Sequence, residues 1–286
     1  NTYTSCNFIK MADKTSTLYL NGCSLMATTT GSRFTSGTVI FDNNITCKSN
    51  TTPSLTTPTQ VGGNAATGTG PSTANWSPNG KFIAVVNETS NTLQVFRFDG
   101  TSTPVQVGGN KATGSGPLSA IWSPNGKFIA VVNNSSNTLQ VFSFDGVNTP
   151  VQVGGDSATA TSPRTPYWSP DGQFIPLVAE GSTVLQVFYF DGVATPVQRG
   201  SNASVGTFPH VCRFSSDGKF IAVIRAGSTL QIFSFDGAST PVAVGSTAAT
   251  GGSQTRWCAW SPDNRFIAVV NESSNNMRIF RFDGSN

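Results

Sequence analysis

WSPNGKFIAVV occupies residues 76–86, and the same eleven residues return at 122–132. Three variants follow: WSPDGQFIPLV at 168–178, FSSDGKFIAVI at 214–224 and WSPDNRFIAVV at 260–270. Their opening aromatics, Trp76, Trp122, Trp168, Phe214 and Trp260, stand 46 residues apart. A fixed period of about 40–50 residues marks a repeat array, in which no unit can bury its apolar face alone and each covers its neighbour. The phrase is therefore architecture before it is chemistry, and the five aromatics read as structural anchors.

One unit, residues 104–146, shows what repeats. PVQVGG (104–109) alternates and stops at a glycine pair, as a short strand does. LSAIW (118–122) is a second strand, ended by the turn SPNG with proline second and glycine fourth. KFIAVVN (127–133) is a continuous apolar run, expected where a strand is buried on both faces. TLQVFSF (138–144) alternates again, and Asp145-Gly146 ends it. Four antiparallel strands joined by hairpins make a propeller blade. The expected fold is all-β, a five-bladed β-propeller over residues 53–286. The last unit lacks its PVQV strand, and TPTQVGG (57–63) is a copy with no anchor before it. Residues 58–62 are therefore expected to pair with 277–282, completing the fifth blade and removing the exposed edges of an open array.

The phrase W-S-P-D/N-G-K-F-I-A-V resembles the inner hairpin of bacterial WD-repeat-like propellers, including YVTN-type surface propellers, across residues 53–286. No unit carries the Gly-His or Trp-Asp dipeptides of eukaryotic WD repeats, so the resemblance implies the fold and not their signalling partners. Five blades of this length also resemble tachylectin-type lectins. Residues 1–52 lack the phrase. LYLNGCSL (18–25) and GTVIFDNNITC (37–47) read there as short strands, resembling rungs of a surface β-solenoid or, equally, a hairpin packed on the propeller.

Charged residues make up 11% of the 286, the formal net charge is +3, and no Lys/Arg cluster is present. Nucleic acid is not an expected partner. Low charge with many Ser, Thr, Asn and Gly residues suits an extracellular or cell-surface β-protein. No apolar run approaches the roughly 18 residues of a membrane span. The chain begins at Asn1, as expected of a product whose targeting segment has been removed. Among five cysteines, Cys6, Cys23 and Cys47 lie outside the repeats, and their pairing cannot be read from spacing. Cys212 and Cys258 sit two residues before an anchor, where Ala74 and Ala120 stand in sister units, and read as buried thiols.

Asp99, Asp145, Asp191, Asp236 and Asp283 each precede glycine at a strand end, which is turn chemistry rather than a converging metal site. His210 is the one histidine, and no cluster has metal-ligand spacing. Glu88, Glu180 and Glu272 fall at equivalent points of separate units, far apart in a regular ring. The informative residues are those that break the repeat in the channel-face loops. Lys111, Arg164, Tyr167, His210, Arg213, Arg256 and Trp257 replace small residues of sister units, and suit hydrogen bonding and stacking. Low charge, the want of a catalytic cluster and the solenoid-like N-terminal segment lead to a non-enzymatic extracellular interaction or assembly module with a protein partner or itself, needing no cofactor. A lectin-like carbohydrate binder is the alternative, and a hydrolase the third reading.

Overall fold

A computed structural model describes residues 58–225, 227–252 and 254–284, and the backbone of five short strands before them. The chain divides into two compact units, Asn1–Gln60 and Val61–Asn286. In the first, Tyr19–Leu20, Cys23–Ser24 and Lys48–Ser49 form a three-stranded antiparallel sheet, and Arg33–Thr35 pairs with Thr38–Ile40.

The second unit is five consecutive antiparallel blades. Blade 1 runs Pro71–Trp76, Phe82–Asn87, Thr92–Arg97 and Val105–Gln106 from inner to outer strand. Blade 2 repeats it with Pro117–Trp122, Phe128–Asn133, Thr138–Ser143 and Val151–Gln152. Blade 4 comprises Pro209–Phe214, Phe220–Arg225, Thr229–Ser234 and Val242–Ala249. Blade 3 keeps Phe174–Ala179, Val184–Tyr189 and Val197–Ser204, while its inner segment makes a single bridge, Pro163 to Ala179. The cause is in the sequence. Pro166 and Pro176 have no N–H to donate, so Tyr167 N–H still bonds Pro176 C=O but the reciprocal bond cannot form.

The repeated turn has a side-chain logic. In blade 1, Ser77 Oγ accepts from Phe82 N at 3.0 Å and donates to Asn79 Oδ1 at 2.7 Å, which accepts from Lys81 N. The same lock joins Ser215, Asp217 and Phe220 in blade 4. The turn needs a residue at positive φ. Gly80 supplies it at 68°, and in blade 5 Asn264 takes the place at 60°, which asparagine tolerates.

Blades are fastened by the anchors. The indole N–H of Trp122 donates to Asn75 C=O, and that of Trp260 to Arg213 C=O, each at 3.0 Å and each reaching the preceding blade. Phenylalanines of the phrase meet those of the next FDG turn edge to face: Phe82 with Phe144, Phe128 with Phe190, Phe174 with Phe235 and Phe220 with Phe282. Three of the four apolar clusters accordingly span two neighbouring blades, and the fourth, through Tyr167, joins blades 3, 4 and 5.

The expected closure is not made. Residues 58–62 form no strand, and blade 5 is a three-stranded sheet, Thr255–Trp260, Phe266–Asn271 and Asn276–Arg281. Met277 and Ile279 on its last strand are 62% and 56% exposed, and Trp76 at the other end is 52% exposed against 6% for Trp122. Whether two terminal segments meet depends on the angle between successive blades, which interblade packing sets and a strand's own sequence does not state. The strand expectations of the specimen unit are met, with one addition. Lys111–Ala112, within the loop that follows the glycine pair, returns to pair with Leu93 and Thr92. No helix among the described residues is long and apolar enough to cross a membrane.

Candidate active site

Four residues before each anchor the five blades carry Ser72, Leu118, Arg164, His210 and Arg256. Twelve residues after it, blades 1, 3 and 5 carry Glu88, Glu180 and Glu272. The inner hairpin brings these two positions together. Arg164 N bonds Val178 O, and Glu180 N bonds Ser162 O, so Arg164 and Glu180 leave the hairpin at one end. Their side chains form an ion pair through Arg164 Nη2 and Glu180 Oε2. Blade 5 repeats the device: Arg256 Nε pairs with Glu272 Oε2, and Arg256 Nη2 donates to Gln254 Oε1 at 2.9 Å.

His210, half-buried, lies between these pairs on blade 4. Burial is the largest influence on its imidazole and lowers its pKa below the ordinary 6.5; Arg164 and Arg256 lower it too, while Glu180 raises it. These surroundings favour the neutral imidazole, whose lone pair can act as a base. Its strand begins from an unusual backbone. Phe208 has φ 54°, the left-handed region, where sister blades place Gly70 (68°), Gly116 (65°) and Ser162 (58°). A bulky residue there is strained. Phe208 is nonetheless 59% exposed, beside the histidine strand.

A second cluster lies on the same strand. The Arg213 guanidinium sits between two rings, 3.5 Å from the Tyr167 centroid and 4.4 Å from that of Trp257. Tyr167 and Trp257 are 6.0 Å apart and nearly perpendicular, so residues of blades 3, 4 and 5 meet here. Beneath the stack are the thiols of Cys212 and Cys258, both free and buried, the second pushed up to about 12 by desolvation.

Six of the seven residues that break the repeat are thus gathered into two clusters, Arg164, His210 and Arg256 in one and Tyr167, Arg213 and Trp257 in the other. Lys111 is elsewhere: it lies in the added strand of blade 1, with Nζ 5.8 Å from the Phe142 ring centroid. Trp122, Trp168 and Phe214 are buried anchors, and Trp76 is not. The Asp-Gly turns are local, Asp145 Oδ1 accepting from Val147 N and Asn148 N. Sequence reasoning passed over the company that Glu180 and Glu272 keep, and over Phe208. A signal existed for both: arginine and glutamate arise together in blades 3 and 5, and phenylalanine replaces a glycine position. Among the described residues no three of His, Cys, Asp and Glu are grouped to hold a metal ion.

A profile of the family described as lactonase, 7-bladed β-propeller, matches residues 41–211 and 211–286. The chain belongs to this lactonase family. Five blades of the family's seven-bladed fold are described here, and the specific likeness to WD-repeat and YVTN-type propellers gives way to it. The finding also corrects the functional expectation. A non-enzymatic interaction, structural or lectin-like module does not fit a family of lactonases, and the enzyme, placed third from sequence, moves to the front. The expectation rested on the want of a catalytic motif, and a linear motif does not show which side chains of separate blades meet.

Among solved structures, the chain is similar to the periplasmic gluconolactonase of Pseudomonas aeruginosa, with 22% identity and a TM-score of 0.62 over 74% of this chain and 66% of that one. It is similar to a Bacteroides uniformis protein assigned as a 6-phosphogluconolactonase, at 19% identity and TM-score 0.59, over 72% and 65%. It is also similar to hydrazine synthase of Kuenenia stuttgartiensis, at 18% identity and TM-score 0.58, over 74% and 65%. Such likeness at low identity shows the fold alone, and the chain spans slightly under two thirds of these relatives' length. No curated protein sequence matches it.

Proposed function

We propose that the lactonase-family blades described here hydrolyse a lactone at the His210 cluster. The observation that carries the reading is a half-buried histidine set between two arginines on neighbouring blades. His210 removes a proton from water as its oxygen bonds to the lactone carbonyl carbon. The carbonyl π electrons move onto oxygen, and the guanidinium of Arg256 or Arg164 stabilises that oxyanion. Collapse breaks the ring C–O bond, the imidazolium returns the proton to the leaving alkoxide, and a hydroxy acid is released. Glu180 and Glu272 hold the arginines in place, and exposed Phe208 offers an apolar contact at the rim. Names of the Pseudomonas and Bacteroides relatives support a sugar-type lactone.

The test is proton release from D-glucono-1,5-lactone in weak buffer, with spontaneous opening subtracted. Turnover above the buffer rate is expected from the 286-residue chain; a rate equal to buffer, with folding confirmed, would overturn the reading. The periplasmic setting of the Pseudomonas relative and the low charge together support an exported protein.

A further inference from the structure

At the end of the blades away from His210, an open groove of about 960 Å³ runs between blades 3 and 4. Its rim is the turns 169–171 and 216–218, which follow the anchors Trp168 and Phe214, whereas His210 precedes its anchor by four residues. The floor is apolar. Phe174 and Phe220 are half-buried, Phe174 meets Phe235 edge to face at 5.1 Å, and Val242 is 63% exposed. Asp171, Asp217 and Asp236 stand around that floor against one cation, Lys219. The repeat does not require this charge, since the corresponding positions between blades 1 and 2 are Asn79, Asn125 and Asp145 against Lys127. The groove between blades 4 and 5 is smaller, about 360 Å³, and sets Arg265 and Arg281 beside its aspartates. In Asp171, Asp217 and Asp236 the turn's own donors fall on Oδ1, so a ligand can meet Oδ2 without opening the turn.

We propose that the groove between blades 3 and 4 docks a basic protein segment, whose lysine or arginine side chains meet Asp171 and Asp217. The aliphatic stem of such a side chain covers the phenylalanine floor while its charged head stays at the wet rim. Three carboxylates against one ammonium select a cationic segment over a neutral or acidic one and speed its encounter. The volume is that of a cleft which takes a ligand of several groups, more than a single ion fills. The proposal stands apart from the lactonase reading. Groove and His210 lie at opposite ends of the inner hairpins, so both can be occupied at once.

Calorimetric titration of the 286-residue protein at low salt with pentalysine, acetylated and amidated at its ends, tests the docking. Saturable binding is expected, weakened about tenfold or more in the double variant Asp171→Asn, Asp217→Asn. Blades 1 and 2 carry asparagine at these positions, where Asn79 and Asn125 make the same turn bonds, so the denaturation midpoint should hold and lactone turnover should not change. Asp217→Asn alone should bind with intermediate affinity, which covers the case in which the double variant does not fold. No binding of the peptide, or equal binding by wild type and variants, would overturn the proposal. Spermine binding as tightly as the peptide would give the groove to a free polyamine and overturn it as well.

Discussion

The indole N–H of Trp168 donates to the carbonyl of Ile121 at 3.1 Å, tying blade 3 to blade 2. Trp168 is 9% exposed at this joint, whereas Trp76, the same residue of the same phrase, is 52% exposed. Truncation of a buried aromatic costs about 3–5 kcal/mol. Trp168→Ala should therefore lower stability by about that amount in chemical denaturation, and Trp76→Ala by well under half as much. Equal losses would mean that Trp76 is covered in solution.

Phe208→Gly separates stability from function. Relief of a bulky side chain from the left-handed region should stabilise by about 1 kcal/mol, read as a higher midpoint of denaturation. The same change removes an exposed aromatic from the rim of the site, so KM for a lactone substrate should rise. A variant both less stable and equally active would contradict the strain and the role together.

The influences on His210 act in opposite directions, and their signs can be tested. Arg256 lowers the imidazole pKa, so Arg256→Gln should move it up; Glu180 raises it, so Glu180→Gln should move it down. Nuclear magnetic resonance titration of the single histidine reads both shifts directly. Movement of both in the same direction would break the proposed geometry.

Acid stability follows from the Asp-Gly turns. Backbone donors, Ser102 N–H first for Asp99, Asn148 N–H for Asp145 and Ser239 N–H for Asp236, hold these carboxyls at about 2 against an ordinary 3.8. A depressed folded pKa gives stability that is complete above the unfolded value and is lost as pH falls through the folded one. Thermal melts should therefore weaken between pH 4 and pH 2, and Asp145→Asn should flatten that dependence.

The blades were legible because each buries the same positions: a Trp or Phe that needs a neighbouring blade and a FIAVV run that needs two covered faces. The closure through residues 58–62 was not, because it depends on an angle accumulated over four interfaces between blades rather than on any local pattern. The site was half legible. Arg164, His210 and Arg256 stood out by breaking the repeat, yet their meeting with Glu180 and Glu272 required the hairpin register that pairs positions sixteen residues apart. Function was the harder inference, since one histidine without a motif looks inert until the arginines of two other blades are placed around it.

The most direct test is the pH dependence of kcat/KM for lactone opening, measured for the wild type and His210→Gln. A neutral catalytic imidazole predicts a rate that rises with pH through a midpoint below 6.5 and then levels. The glutamine variant should lose that limb and at least a hundredfold of the rate, as removal of a general base does by about 10²–10⁴. A wild-type rate that shows no such limb, or a variant as active as wild type, would contradict the assignment of His210 as the base.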